Sequence, residues 1–112
     1  MAEEKKFYLS VFACIFNKDL SKILLLKRNK EKREKYGIEW VNVGGKIEFG
    51  ELAENACLRE IKEEIGLNLD KNDLNFLFVK EDFANYKNSH IAFFVYGVVI
   101  DENEILKINT ES

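Results

Sequence analysis

Residues 6–16, Lys-Phe-Tyr-Leu-Ser-Val-Phe-Ala-Cys-Ile-Phe, are apolar on both faces of a period-two pattern. Phe7, Leu9, Val11, Ala13 and Ile15 fall on one side; Tyr8, Phe12, Cys14 and Phe16 dominate the other. A strand of this kind asks for cover on both faces, which a one-sided antiparallel sheet does not supply. The remaining pattern provides candidates for that cover. Asn17, Lys18 and Asp19 form a turn signal, residues 23–26 a second strand, residues 29–37 a charged loop and residues 39–43 a short strand. Residues 44–50 are punctuated by glycine. From residue 52 to 65 the period becomes helical, and Gly66 is placed to stop the helix. Residues 74–83 and 91–100 read as further strands joined by a turn-like stretch at 84–88, and residues 105–108 as a last short strand. There is no repeat, low-complexity tract or linker, so residues 1–112 read as one mixed α/β domain.

Composition narrows the chemistry. A net charge of −3 gives no electrostatic reason to expect a nucleic-acid polymer as partner. No apolar run is long enough to span a bilayer, and the charged start at Met1 to Lys6 lacks a secretory stretch, so the expectation is a cytoplasmic protein with no membrane partner. Cys14 and Cys57 sit among apolar residues and read as buried, inert thiols rather than a disulfide framework. The chain has a single His, so a bound metal has to be held mainly by oxygen, which favours Mg²⁺ or Mn²⁺ over Zn²⁺.

The informative segment runs from Gly45 to Leu67. At roughly 100° per residue, Glu60, Glu63 and Glu64 fall within an arc of about 100° on one helix face. Leu58, Ile61 and Ile65 cluster on another face suited to packing on a sheet, while Ala53 and Ala56 lie on the acidic side and leave room there. Clustered carboxylates repel one another. Such a face is either simply solvated or is used to hold divalent cations, which favour carboxylate oxygen.

Gly45, Glu51, Arg59, Glu60, Ile61, Glu63, Glu64, Gly66 and Leu67 match the Nudix box, G-x5-E-x7-R-E-U-x-E-E-x-G-U with U aliphatic, at every fixed position. The chain therefore resembles the Nudix hydrolases, and its strand pattern resembles their α/β/α sandwich with a mixed β-sheet. Family members usually continue through another strand and a helix, so the resemblance implies either a minimal sandwich lacking that C-terminal strand and helix, or one whose last pieces lie beyond this chain. It also implies Mg²⁺-dependent cleavage of a diphosphate linkage in a nucleoside diphosphate derivative. Glu60, Glu63 and Glu64 would be the metal-binding glutamates, with the carbonyl of Gly44 or Gly45 as a further ligand. Arg59 and Glu51 would tie the loop to the helix. Glu63 or Glu64 would take the proton of the attacking water, with Glu111 as an alternative from a later loop and Glu104 as a poorer one. Where the family commonly carries Pro-Gly-Gly, this chain has Val43-Gly44-Gly45.

The stretch from Trp40 to Glu51 looks most like the mutator-type nucleoside triphosphate pyrophosphohydrolases. That likeness implies phosphate contacts from Arg28 and Lys46 and a (d)NTP or oxidised (d)NTP as substrate. Residues 27–35 hold six basic residues that could collect anions by steering, although a solvated loop is the simpler reading. Arg28, Arg33 and Gly37 partly resemble a coenzyme A diphosphatase pattern, one residue out of register with Gly44. An ADP-ribose reading is disfavoured because no proline follows the box. Phe83, Tyr86 and His90 are candidates for stacking on a base, with core packing or exposure as the alternative. Trp40 is expected to pack against the core beside the box loop, with its edge lining the pocket as the alternative. Binding-only domains of this fold form the rival class, as ligand sensors or protein-interaction modules. A monomer and a homodimer are both compatible with the sequence.

Overall fold

The computed structural model describes residues 4–84 and 88–105. Its centre is β1 (Lys6–Phe16), which pairs in parallel with β7 (Ser89–Val99) from Lys6↔Ser89 to Phe16↔Val99. On its other side β1 pairs antiparallel with β2 (Ile23–Leu24) at its end and with β5 (Val43–Lys46) in its middle. β6 (Asn75–Ala84) pairs antiparallel with β7 and forms the sheet's far edge, with a bulge between Phe76 and Phe78. The mixed sheet and its helices are those of an α/β domain. A second, two-stranded sheet joins β3 (Leu26–Lys27) to β4 (Trp40–Val41).

α2 (Ala53–Ile65) packs on β1 and β5. Leu52 accepts the first helical hydrogen bond from the Ala56 N–H, and Gly66 ends the helix in the left-handed region (φ 75°) with its N–H on the Lys62 carbonyl. The helix buries Cys57, Ile61 and Ile65 against Val11, Ala13 and Ile15, all on one face of β1. Leu58, expected on that stripe, is only half-buried, and Cys57 takes its place. The residues at i, i+4 and i+8 (57, 61 and 65) rotate by about 40° per step and stay over the sheet. Ala56 is not on an open acidic side but fully buried in the core, so it leaves no room for a ligand.

Several segments differ from expectation for local reasons. The charged stretch after Asn29 is a helix, α1 (Lys30–Tyr36). The Asn29 side chain accepts from the Lys32 N–H at 2.9 Å, and Gly37 (φ 72°) donates to the Arg33 carbonyl. The second strand splits at Leu25, because Leu24 belongs to the large sheet and Leu26 to the small one, both buried. The third breaks at Asn42, and β5 extends into the glycine-rich stretch, so Gly44, Gly45 and Lys46 are strand residues rather than loop. Two-sided cover of β1 begins only near Ser10: Phe7 and Leu9 are exposed, as is almost all of β6. Residue 105 closes a short helix, α3 (Glu102–Ile105), rather than opening a strand, and residues 106–108 lie outside the described residues. Among the described residues no helix is long and apolar enough to cross a membrane.

Candidate active site

The register of β5 on β1 explains why two adjacent glycines stand at the site. Gly45 lies opposite Val11 on the face carrying α2, and a Cβ there would come within 2.6 Å of the Glu60 carboxylate. Gly44 lies opposite Phe12 on the other face, and a Cβ there would fall 2.6 Å from the Phe12 ring and against the Val11 carbonyl. The first glycine leaves space for an aromatic ring, the second for a carboxylate. The Gly44 N–H donates to Glu64 Oε2 at 3.0 Å, which ties the strand to the helix.

Arg59 organises the acidic side chains. It grips Glu51 with two hydrogen bonds, Nε at 2.8 Å and Nη2 at 2.9 Å; Nη1 donates to Glu60 at 2.7 Å and Nη2 to the Lys46 carbonyl at 3.1 Å. Glu51 also accepts from the Glu48 N–H. The Arg59 hydrogen bonds, followed by that backbone bond, hold the Glu51 carboxyl down at about 2. Glu63 is the outlying member: its side chain is 58% exposed and reaches Arg59 only at 3.4 Å.

Glu64 behaves oppositely. Burial is the main reason its carboxyl is pushed up to about 7, and the neighbouring Glu60 charge raises it further, while the Gly44 N–H and Lys32 pull it down. Two carboxylates, Glu60 and Glu64, are thus held together beside the paired glycines. Among the described residues no three acidic side chains converge closely enough to hold an ion, so the expected trio is present as a pair with Glu63 turned toward Arg59. A half-buried carboxyl beside a second carboxylate is costly to ionise, and a hard divalent cation relieves that cost.

A cavity of about 820 Å³ opens beside this pair, and Glu64, Gly44, Gly45, Arg28 and Lys46 all line it. The Arg28 N–H is anchored on the Glu39 carbonyl, and the Lys46 ammonium lies 4.0 Å from the Tyr8 ring centroid. Lys32, on α1, joins them and was not singled out from the sequence, although the Asn29 cap and Gly37 stop could have revealed its helix. Phe12 and Phe93 also line the cavity, their rings stacked at 4.7 Å. Trp40 is 52% exposed and lines the cavity wall, the second of its two expected placements, rather than packing against the core. Phe83 and His90 lie outside the cavity lining; His90 contacts Phe7 and Phe83 and sits 2.8 Å from Glu81. Glu104 is exposed on α3, and Tyr86 and Glu111 lie outside the described residues. Cys57 is buried, which raises its thiol to about 12, and burial raises Cys14 as well; both are protonated at neutral pH.

This arrangement, a glycine-paired strand tied to an acidic helix, agrees with the comparisons. The NUDIX domain model matches residues 6–112, and the chain belongs to the Nudix family. Among solved structures it is similar to a MutT Nudix hydrolase from Burkholderia pseudomallei, with a TM-score of 0.69 and 27% identity over 84% of this chain and 67% of that one. Among curated proteins it is 36% identical to the m7GpppN-mRNA hydrolase of Saccharomyces cerevisiae over 77% of this chain. It is 29% identical to the dihydroneopterin triphosphate diphosphatase of Escherichia coli over 62% of this chain. The chain spans 8% of the length of the yeast protein and 43% of that of the bacterial one.

Proposed function

We propose that this chain hydrolyses a diphosphate linkage in a nucleoside diphosphate derivative, with a (d)NTP or oxidised (d)NTP converted to the monophosphate and pyrophosphate as the first substrate class. The observation that carries the reading is one cavity shared by the half-buried Glu64 and the cations Arg28, Lys32 and Lys46. Such a cavity suits an anion with several charges held against acidic groups that need a cation between.

Mg²⁺, with Mn²⁺ as a substitute, would be held by Glu60, Glu63 and Glu64 with a carbonyl of Gly44 or Gly45. When bound, it supplies charge neutralisation of the transferred phosphoryl group and acidification of water. Arg28, Lys32 and Lys46 bind and orient the phosphates. Glu63 or Glu64 accepts the proton of the attacking water. Arg59 and Glu51 are positioning residues: the bidentate grip keeps the box turn and the helix in one register, and the Arg59 bond to Glu60 aims that carboxylate at Gly45.

The test is product analysis with Mg²⁺ over a panel of nucleoside triphosphates, oxidised triphosphates, dihydroneopterin triphosphate, coenzyme A and capped RNA. Pyrophosphate release from a triphosphate is expected. Turnover of coenzyme A or capped RNA alone would move the substrate class, and ligand-induced stabilisation without turnover of anything would favour the sensor reading.

A further inference from the structure

The far edge of the large sheet carries a self-complementary pattern. β6 is the last strand in the order β2-β1-β7-β6, so among the described residues its outer N–H and C=O groups face no strand. A bulge between Phe76 and Phe78 disturbs the start of β6 and leaves residues 78–84 in regular register. These read Phe78-Val79-Lys80-Glu81-Asp82-Phe83-Ala84, three charges flanked on both sides by apolar residues. Phe78, Val79 and Phe83 are 51%, 47% and 59% exposed, and an open edge with such residues is a template for another strand. Among the described residues Lys80 and Asp82 make no ion pair within the chain, whereas Glu81 Oε2 lies 2.8 Å from His90 Nε2.

We infer that residues 78–84 form the interface of a twofold-symmetric homodimer, in which β6 of two copies pairs antiparallel with the axis through Glu81. Opposed residues of an antiparallel pair share a face, and the axis opposes each residue to the one equally far on its other side. An axis at Glu81 sets Lys80 against Asp82 of the second copy, Val79 against its Phe83 and Phe78 against its Ala84. Each contact occurs twice, and opposite charges and apolar pairs are the cross-strand combinations that stabilise a sheet. An axis at Lys80 would instead set Lys80 against itself, Val79 against Glu81 and Phe78 against Asp82. An axis at Asp82 would set Asp82 against itself and Glu81 against Phe83, and axes nearer the start of the strand run into the bulge. Charges on an edge strand ordinarily oppose pairing, but their order here, positive then negative, is complementary to its own reverse. The one like-charge contact, Glu81 on the axis, has His90 beside it and stays open to screening solvent. The pairing joins two five-stranded sheets edge to edge. Lys80 lies opposite Phe93, which lines the cavity, so both cavities open on the same face of the joined sheet. The inference stands apart from the hydrolase reading, because no cavity residue takes part in the contact.

Sedimentation equilibrium and amide exchange at several protein concentrations test this on wild type, Lys80→Asp, the double exchange Lys80→Asp with Asp82→Lys, and Glu81→Gln. Circular dichroism checks each fold. Wild type is expected to dimerise, with the amides of residues 78–84 exchanging more slowly as concentration rises. Lys80→Asp sets like charges against each other twice and should weaken the dimer by about tenfold or more. The double exchange restores opposite charges and should return the affinity to within about threefold of wild type. It should not pair with wild type, because both contacts of a mixed dimer join like charges. Glu81→Gln removes the repulsion on the axis and should tighten the dimer. A wild type that is monomeric at every concentration, a dimer that Lys80→Asp leaves unchanged, or a double variant that mixes freely with wild type would overturn the inference. A dimer without protection at residues 78–84 has its interface elsewhere and overturns it as well. If Lys80→Asp loses its fold, the mixing of wild type with the double variant decides alone.

Discussion

Arg59 holds Glu51 through two hydrogen bonds of 2.8 and 2.9 Å and reaches Glu60 with its remaining terminal nitrogen at 2.7 Å, so one guanidinium sets both the box turn and the acidic helix face. Lysine carries the charge but not the fork. Arg59→Lys is expected to keep the helical circular dichroism and to lower Mg²⁺ affinity and kcat by about 10- to 100-fold, the usual effect of losing an orienting partner. Wild-type Mg²⁺ affinity in the variant would show that the grip is incidental.

Glu63→Gln and Glu64→Gln should each lower kcat at least tenfold with little change in fold, because a ligand charge is lost at nearly constant volume. The two should separate in the metal-free protein. Glu64→Gln removes a desolvated charge and should raise Tm at pH 8, while Glu63→Gln, at an exposed position, should not. Full activity in both variants would remove them from the mechanism.

The pH dependence of the metal-free protein follows from opposing shifts. Glu64 is raised to about 7 in the folded chain, so between pH 4.5 and 7 the native state keeps a proton that the unfolded chain has released. Stability from this group falls as pH rises through that window and levels off above it. Glu51, lowered to about 2, contributes stability above pH 4.5 that is lost as pH falls toward 2. Tm in chelator should therefore be highest near pH 5 and lower at pH 8, and Glu64→Gln should flatten the fall. A Tm that climbs steadily from pH 5 to 8 in wild type would contradict the Glu64 environment described here.

Gly44→Ala and Gly45→Ala should fail in different ways. The Gly44 Cβ would press on the Val11 backbone and the Phe12 ring, neither of which can yield freely, and a loss of about 1–3 kcal/mol of stability is expected. The Gly45 Cβ would meet only the end of the Glu60 side chain, which can swing aside. Its stability should change little while Mg²⁺-dependent activity drops at least tenfold. Chemical denaturation and steady-state kinetics on the two variants read this contrast directly.

Arg28→Ala and Lys32→Ala should mainly raise KM, each by about tenfold or about 1.4 kcal/mol, with kcat nearly kept. An unchanged KM in the Lys32 variant would confine phosphate binding to Arg28 and Lys46.

The long elements were legible because each satisfies one strong rule over many residues. β1 has the bounds its alternation implied, and α2 starts one residue inside the expected helix and ends at Ile65. The box residues Glu51, Arg59, Glu60 and Glu64 could be named in advance through their resemblance to the Nudix box; helix spacing by itself groups Glu60, Glu63 and Glu64 and leaves a solvated face as the alternative. α1 is hard to read from the sequence because its capping signals, Asn29 and Gly37, flank seven residues with no apolar stripe, a composition that a solvated loop shares. The breaks at Leu25 and Asn42 reflect a change of partner strand, which local pattern does not encode. Trp40, on β4 of the small sheet, and Phe93, on β7 of the large one, come to one cavity through strand pairings that lie far apart in sequence. Glu63 stands apart from Glu60 and Glu64 because its side chain leans toward Arg59, a side-chain contact that helix angle alone does not register.

The parallel register of β1 with β7 has a consequence for how the protein is made. The β6–β7 pairing is local in sequence, but β1 has to wait until residues 89–99 exist before its longest neighbour is available. Until then Val11, Ala13 and Ile15 have only short strands and α2 to shelter them. A nascent chain stalled before residue 89 should therefore show little protection of β1 amides from exchange, and a ribosome that pauses there would display the most apolar strand of the molecule to whatever is nearby.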